Sequence, residues 1–276
     1  MNALTEGDFR AYIAAFNRRD YAAFSPFYAD DVEFKGRAAE LRGRDQVVSF
    51  YRGVKARLRE TLTVHAIVVG EHAIVADIET ELHALEDWPD FPRGAFVRGE
   101  TRRSQNFIWY DVKQGQFQRI RAAHYRYLPA GEIAADTVAL AEPGMSAERF
   151  AAYIDAFNRD DYASFGEVYH EDVALVIVGK QELRGRQAIF DFYRGVKAQT
   201  RRTIAINAVV SSGNQLAAEL QSEFVALEDL PDFAAGPMKK GDRIFINTVV
   251  LYELRDGKFA QIRSAELSKV QRPVSG

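Results

Sequence analysis

Histidine is the side chain whose ordinary pKa puts proton transfer near neutral pH, and the five histidines of this chain are unevenly spread. His65, His72, His83 and His124 lie in the first half, and His170 alone lies in the second. A second chemical signal is carboxylate: "ALEDWPDF" (Ala84 to Phe91) returns as "ALEDLPDF" (Ala226 to Phe233), with three acids each time. His65, His72 and His83 lack the short helical or tight-loop spacing of a metal site, so no metal is expected. Nor is there a glycine-rich phosphate loop, and no organic cofactor is expected.

The repeated phrase belongs to a larger duplication. Phe9 to Val32 aligns without gaps on Phe150 to Val173, at 15 identities in 24 positions. Glu40 to Ala56 matches Glu182 to Ala198 at 12 in 17, the offset moving only from 141 to 142 residues. The expected organisation is a domain over 1–129, a linker over 130–145 marked by Pro143 and Gly144, and a second domain over 146–272. His65, His83 and His124 become Asn207, Val225 and Glu266 in the second copy, so the first is better equipped for acid–base work.

Each copy reads as helices followed by strands. Phe9, Tyr12, Ile13 and Phe16 recur at helical spacing, and Phe24, Phe27 and Tyr28 suggest a second helix. A short strand is expected at Val32 to Phe34, and "RDQVVSFYRGVKARL" forms a third helix. The period then changes to two: Ala76, Ile78, Thr80 and Leu82 alternate with Asp77, Glu79, Glu81 and His83. Two more strands follow, turning at Lys113, Gln114 and Gly115. The expected class is α+β, with helices on one face of an antiparallel sheet. Pro89 and Pro231 exclude a central strand at the repeated phrase, which reads as a structural corner at the rim of a pocket.

"YIAAFNRRDYAAFSPFYADDVEF", then "LRGRDQVVSFY", then a strand run ending "GQFQRIRA" resembles the nuclear transport factor 2-like superfamily. That group includes SnoaL-like polyketide cyclases, ketosteroid isomerase and scytalone dehydratase. The resemblance implies two tandem cone-shaped α+β barrel domains, each a curved, cystatin-like antiparallel sheet wrapped around helices, enclosing an apolar pocket. By that resemblance Ser104, Asn106, Ile108 and Tyr110 face inward, as do Ile120, Ala122 and His124. Tyr12 and Tyr153 fall on the isomerase's oxyanion-binding tyrosine, and Asn106 on its hydrogen-bond-donating acid. The isomerase's general base would match Gly36 and Ile177, neither of which can move a proton. His65 aligns with the dehydratase's catalytic histidine and Asn17 with the aspartate that assists it; Asn158 and Asn207 take those places in the second copy.

The expected catalytic set is therefore His124, His65, Tyr12 and Asn106, with Asn17, Tyr110, Tyr153 and Glu266 binding substrate. The expected ligand is a small, apolar, oxygenated molecule that is isomerised, dehydrated or cyclised. The alternative is a non-catalytic binding module or degenerate scaffold. Tandem epoxide-opening cyclases of polyether pathways are a precedent for the doubled architecture.

A net charge of −3 and a pI near 6.0 give no reason to expect nucleic acid. Cys is absent, the apolar runs are too short to span a bilayer, and the start "MNALTEGDFRAY" has no signal-peptide pattern; no membrane is expected and the expected location is cytoplasmic. Phe107, Trp109, Phe245, Val249 and Leu251 face away from the pockets, and such apolar area needs cover. An intramolecular pseudo-dimer or a homodimer would supply it.

Overall fold

Thr5 starts the first helix by accepting a hydrogen bond from the Asp8 backbone N–H, while the Asp8 carboxylate accepts from Thr5, a reciprocal cap. The helix, α1 (Glu6–Asn17), buries Phe9, Tyr12, Ile13 and Phe16 on one side. Each large apolar side chain so buried contributes about 1.5–3 kcal/mol. The computed structural model of the chain describes residues 3–132, 144–179 and 181–274. It divides into two units, Met1–Ala139 and Leu140–Gly276. Most of the expected linker, 133–143, lies outside the described residues.

In the first unit α1 is followed by α2 (Tyr21–Phe24), a 3-10 turn (Ser25–Phe27), β1 (Tyr28–Lys35), β2 (Glu40–Arg42) and α3 (Arg44–Arg57). The expected second helix is thus shorter, and Tyr28 already belongs to a strand. Four long strands follow: β3 (Leu58–Val69), β4 (Ala73–Ala84), β5 (Thr101–Lys113) and β6 (Gln116–Leu128). These pair antiparallel in sequence order; β1 adds to β6 in parallel, and β2 pairs with β1. Gln114 and Gly115 turn β5 into β6 with φ of 55° and 75°.

The second unit repeats the plan with α4 (Ala147–Asn158), α5 (Tyr162–Gly166), β7 (Tyr169–Ile177), β8 (Gln181–Arg184), α6 (Arg186–Gln199), β9 (Thr200–Ser212), β10 (Gln215–Ala226), β11 (Arg243–Arg255) and β12 (Lys258–Arg272). This is the expected α+β architecture, built twice. No helix among the described residues is long and apolar enough to cross a membrane.

Helices and sheet hold each other through two recurring devices. Asn17 Nδ2 donates to the Leu62 carbonyl (2.8 Å) and its Oδ1 accepts from the Leu62 N–H (2.9 Å); Asn158 clasps Ile204 in the same way. The buried Lys55 ammonium donates to the Phe16 carbonyl at the end of α1, as Lys197 does to that of Phe157.

The repeated phrase is a corner in both units. Trp88 bridges to Phe96, and Leu230 to Met238. Asp87 accepts the Arg98 N–H and Asp229 that of Lys240, each at 2.8 Å. Trp88 and Phe91 turn onto a small core with Val54, Leu58 and Phe96, whereas Leu85 points to solvent.

Candidate functional site

The inward residues of the first unit's strands and helices surround a cavity of about 110 Å³. Strand alternation places Asn106, Ile108 and Tyr110 of β5, and Ile120 and Ala122 of β6, on its wall. Tyr12 comes from α1, Phe50, Tyr51 and Val54 from α3, and Thr80 and Leu82 from β4. Gly36 and Arg37 of the β1–β2 loop and Phe91 and Arg93 of the corner complete it. A second cavity, of about 230 Å³, shares Leu82, Phe91 and Arg93 with the first and adds Ser104 and Tyr127.

The acid in this cavity is Glu60, a residue outside the expected catalytic and substrate-binding sets. It stands on β3 with Leu58, Leu62 and Val64 on the same side, a carboxylate in an apolar row. Its Oε2 is buried and has no hydrogen-bond partner among the described residues. Burial raises its pKa to about 7, against the opposing attraction of Lys55 and Arg93. Lys55 is displaced in the complementary direction, lowered by its own burial. A carboxyl poised near neutrality in an apolar, tyrosine-lined cavity has the properties of a general base or acid.

Gly36, where the isomerase comparison asks for a carboxylate, has no side chain, and a Cβ there would stand 2.5 Å from the Phe34 ring, which would have to move. The carboxyl enters from β3 instead.

Asn106 lines the cavity, its Nδ2 donating to Thr80 Oγ1 (3.3 Å) and Ser104 Oγ (3.2 Å). Its Oδ1 lies 3.5 Å from His124 Nδ1. A bulge at Tyr125 brings Tyr127 to the same face as His124, and their rings meet at 4.6 Å; Tyr127 lines the second cavity, whereas His124 is not among the residues lining either one. Tyr12 shares its hydroxyl with Tyr28 at 2.9 Å, and burial pushes its pKa well above the ordinary phenol value. Tyr110 is likewise raised by burial.

Two expected residues lie elsewhere. His65 is the extra residue of a bulge between Val64 and Ala66. The bulge changes which parity faces inward, from Leu62 and Val64 to Ile67 and Val69, and leaves His65 on the opposite face. There its Nε2 meets Glu79 Oε2 at 3.2 Å, and Arg103 holds the other carboxylate oxygen. His65 therefore does not line the cavity. Asn17 neither lines the cavity nor orients His65; its amide is engaged by the Leu62 backbone. His83 bonds Thr101 at the surface.

In the second unit Tyr153 pairs with Tyr169 at 2.9 Å, and Glu266 stands opposite Thr248 as His124 stands opposite Asn106. At the place of Glu60, however, the chain carries Arg202. Its guanidinium lies 5.0–5.3 Å from the rings of Phe157, Tyr193 and Phe224. Arg202 Nη2 reaches Ser222 Oγ at 3.5 Å, and its buried Nε has no hydrogen-bond partner among the described residues. Among the described residues no three His, Asp or Glu side chains gather as a metal site.

Residues 9–120 and 150–262 both match the SnoaL-like domain family, and the chain belongs to that family as a tandem pair. Solved structures of similar fold include a SnoaL-like polyketide cyclase from Agrobacterium tumefaciens, 18% identical, covering 45% of this chain and 92% of its own (TM-score 0.37). The epoxide hydrolase/cyclase-like enzyme SalBIII, from pyran ring formation in the polyether salinomycin, is 24% identical over 43% of this chain and 88% of its own (TM-score 0.36). An LEH-like epoxide hydrolase from M. tuberculosis is 14% identical over 42% and 78% (TM-score 0.35). No curated protein sequence matches the chain significantly.

Proposed function

We propose that the first domain catalyses proton transfer on a small, largely apolar carbonyl compound, with Glu60 as the base that becomes the acid. The observation that carries this reading is the buried, unpartnered carboxylate oxygen of Glu60 in the cavity, with its pKa raised to about 7. In the first step the carboxylate takes a proton from a carbon next to the carbonyl. The C–H electron pair moves onto the carbonyl oxygen, leaving an enolate and a neutral Glu60.

Asn106 Nδ2 and the tyrosine hydroxyls of the cavity are the groups available to donate to that oxygen. Return of the proton to another carbon completes an isomerisation, loss of a neighbouring hydroxyl as water a dehydration, and attack of the enolate carbon on a second carbonyl a cyclisation. None of these steps requires a metal or an organic cofactor. The second domain, with Arg202 where the base would stand, we read as non-catalytic.

Nitrobenzisoxazole tests the base without knowledge of the natural substrate. Removal of its C–H proton breaks the N–O bond and releases a coloured phenolate. The protein accelerates this reaction, Glu60→Gln lowers the rate by roughly a hundredfold, and His65→Ala leaves it unchanged. A Glu60→Gln variant as active as the parent, or no acceleration by the parent, overturns the reading.

A further inference from the structure

Four arginines line the two adjoining cavities of the first domain, and they differ in how their charge is met. Arg102 pairs with Glu100 at 2.6 Å and Arg103 with Glu79 at 2.6 Å. Arg37 and Arg93 have no carboxylate partner among the described residues. Their shared contact is the Tyr127 hydroxyl, to which Arg37 Nη2 donates at 3.3 Å and Arg93 Nη2 at 3.5 Å. The Arg37 guanidinium also lies over the Tyr127 ring, 5.4 Å from its centre, and its Nη1 is buried with no acceptor among the described residues.

A guanidinium with a buried, unused N–H is unfavourable unless something fills the site. We propose that Arg37, Arg93 and Tyr127 form a carboxylate-recognition site, so that the substrate is an apolar molecule with a carboxylate at the end away from its reacting carbon. This inference rests on the proton-transfer reading and names the class of molecule that the site takes.

Two further observations and the chemistry of guanidinium support it. Arg37 and Arg93 line the same cavity as Glu60, so a ligand seated there presents one end to the acid and the other to the guanidiniums. Arg93 lines the second cavity as well, together with Tyr127, which gives the carboxylate a polar outlet. Guanidinium forks suit a carboxylate because two N–H groups meet two oxygens at once.

The second domain has lost all three groups together. Val178, Ala235 and Lys269 stand at the matching places, and Lys269 Nζ donates to the Ala235 carbonyl at 3.0 Å. A domain without the base is thus also without the anion site.

Calorimetric binding of naphthalene-carboxylate and of its neutral carboxamide to the full chain tests the site. The acid binds at least about tenfold more tightly than the amide, as a charge-assisted pair predicts, and the margin shrinks as salt is raised. Arg37→Met and Arg93→Met each reduce the preference and the double variant abolishes it, while amide binding persists and shows that the cavity is intact. Glu60→Gln keeps the preference. Equal affinity for acid and amide, no binding of the acid, or a preference that survives the double variant overturns the proposal. The nitrobenzisoxazole rate in Arg37→Met and Arg93→Met separates the two readings: loss of anion preference with retained, Glu60-dependent turnover leaves the base in place, and the converse leaves only the anion site.

Discussion

Glu60 and Arg202 occupy the same place on matching strands, each two residues before the residue that an asparagine clasps, and they carry opposite charge. The exchange extends to their surroundings. In the second domain Lys197 is neutralised by Asp160; in the first, Arg19 stands where Asp160 does, and the field of Glu60 acts on Lys55 instead. Each domain therefore balances its buried lysine with one acid, drawn from a different place. Arg202→Glu is expected to destabilise the chain by about 2–4 kcal/mol, because a carboxylate would be buried among Phe157, Tyr193 and Phe224 beside a lysine already satisfied. Adding Asp160→Arg should recover part of that loss. Urea denaturation of the two single variants and the double variant measures the coupling, expected at about 0.5–3 kcal/mol; strict additivity would refute the exchange.

The displaced pKa of Glu60 makes both rate and stability depend on pH. As the base, it is active when ionised, so turnover of nitrobenzisoxazole should rise with pH through an inflection near 7. Folding favours the protonated form, because the folded value lies above the ordinary 4.5. That stabilising contribution is complete below about pH 4.5, falls as pH rises through about 7 and is absent above it. Relative to the parent, Glu60→Gln should therefore gain stability between pH 4.5 and 8, by at most about 3 kcal/mol. Denaturation midpoints of parent and variant across that range check it; a pH-independent difference would mean that Glu60 is not displaced.

The dehydratase resemblance puts an acid at the position of Asn17, which was therefore expected to bind substrate, while Asn158 marks the absence of the histidine–aspartate dyad in the second copy. Their amides instead complete a backbone pair on β3 and β9. Asn17→Ala leaves a partly buried N–H and C=O of Leu62 without their partner and should lower stability by about 1–3 kcal/mol. Asn158→Ala should do the same in the second domain. Turnover per folded molecule should not change in either variant. A selective loss of rate in Asn17→Ala would return this residue to the substrate-binding set.

Much of the fold was legible because the two copies check each other. Blocks such as "ELRGR" and "FYRGVKA" repeat the α3 and α6 boundaries, and alternation on β5 groups Asn106, Ile108 and Tyr110 on one face, which the superfamily resemblance turns inward and which lines the cavity. His65 was not legible, because a one-residue bulge reverses the inward parity within a strand that is apolar on both sides. Glu60 was legible and missed. An acid in the row Leu58, Leu62, Val64 that becomes arginine in the other copy is a stronger signal than a histidine that becomes asparagine. The arginine mouth could not be read from spacing, since its members come from the loop after β1, the corner after β4 and the end of β6.

Tyr127 adds a pH limit to the anion site. It is 58% exposed, yet hydrogen bonds from Arg93 and Arg37 hold its phenol down to about 8, below the ordinary 10.0. Besides these arginines, the titratable group in contact with it is His124, whose ring packs against it. Below pH 8 the neutral phenol leaves both guanidiniums free to bind an added carboxylate; above it the phenolate becomes their counter-ion and competes. The preference for naphthalene-carboxylate over its amide should therefore decline above pH 8, in a range where the ligand's own carboxylate is fully ionised. Tyr127→Phe should remove this decline and extend carboxylate binding to higher pH, at the loss of one hydrogen-bond acceptor for the arginines. His124→Ala serves as the control: a decline that persists there and vanishes in Tyr127→Phe assigns the titration to the phenol. If the decline survives Tyr127→Phe, another group closes the mouth and the arginine–tyrosine cluster is not the anion site.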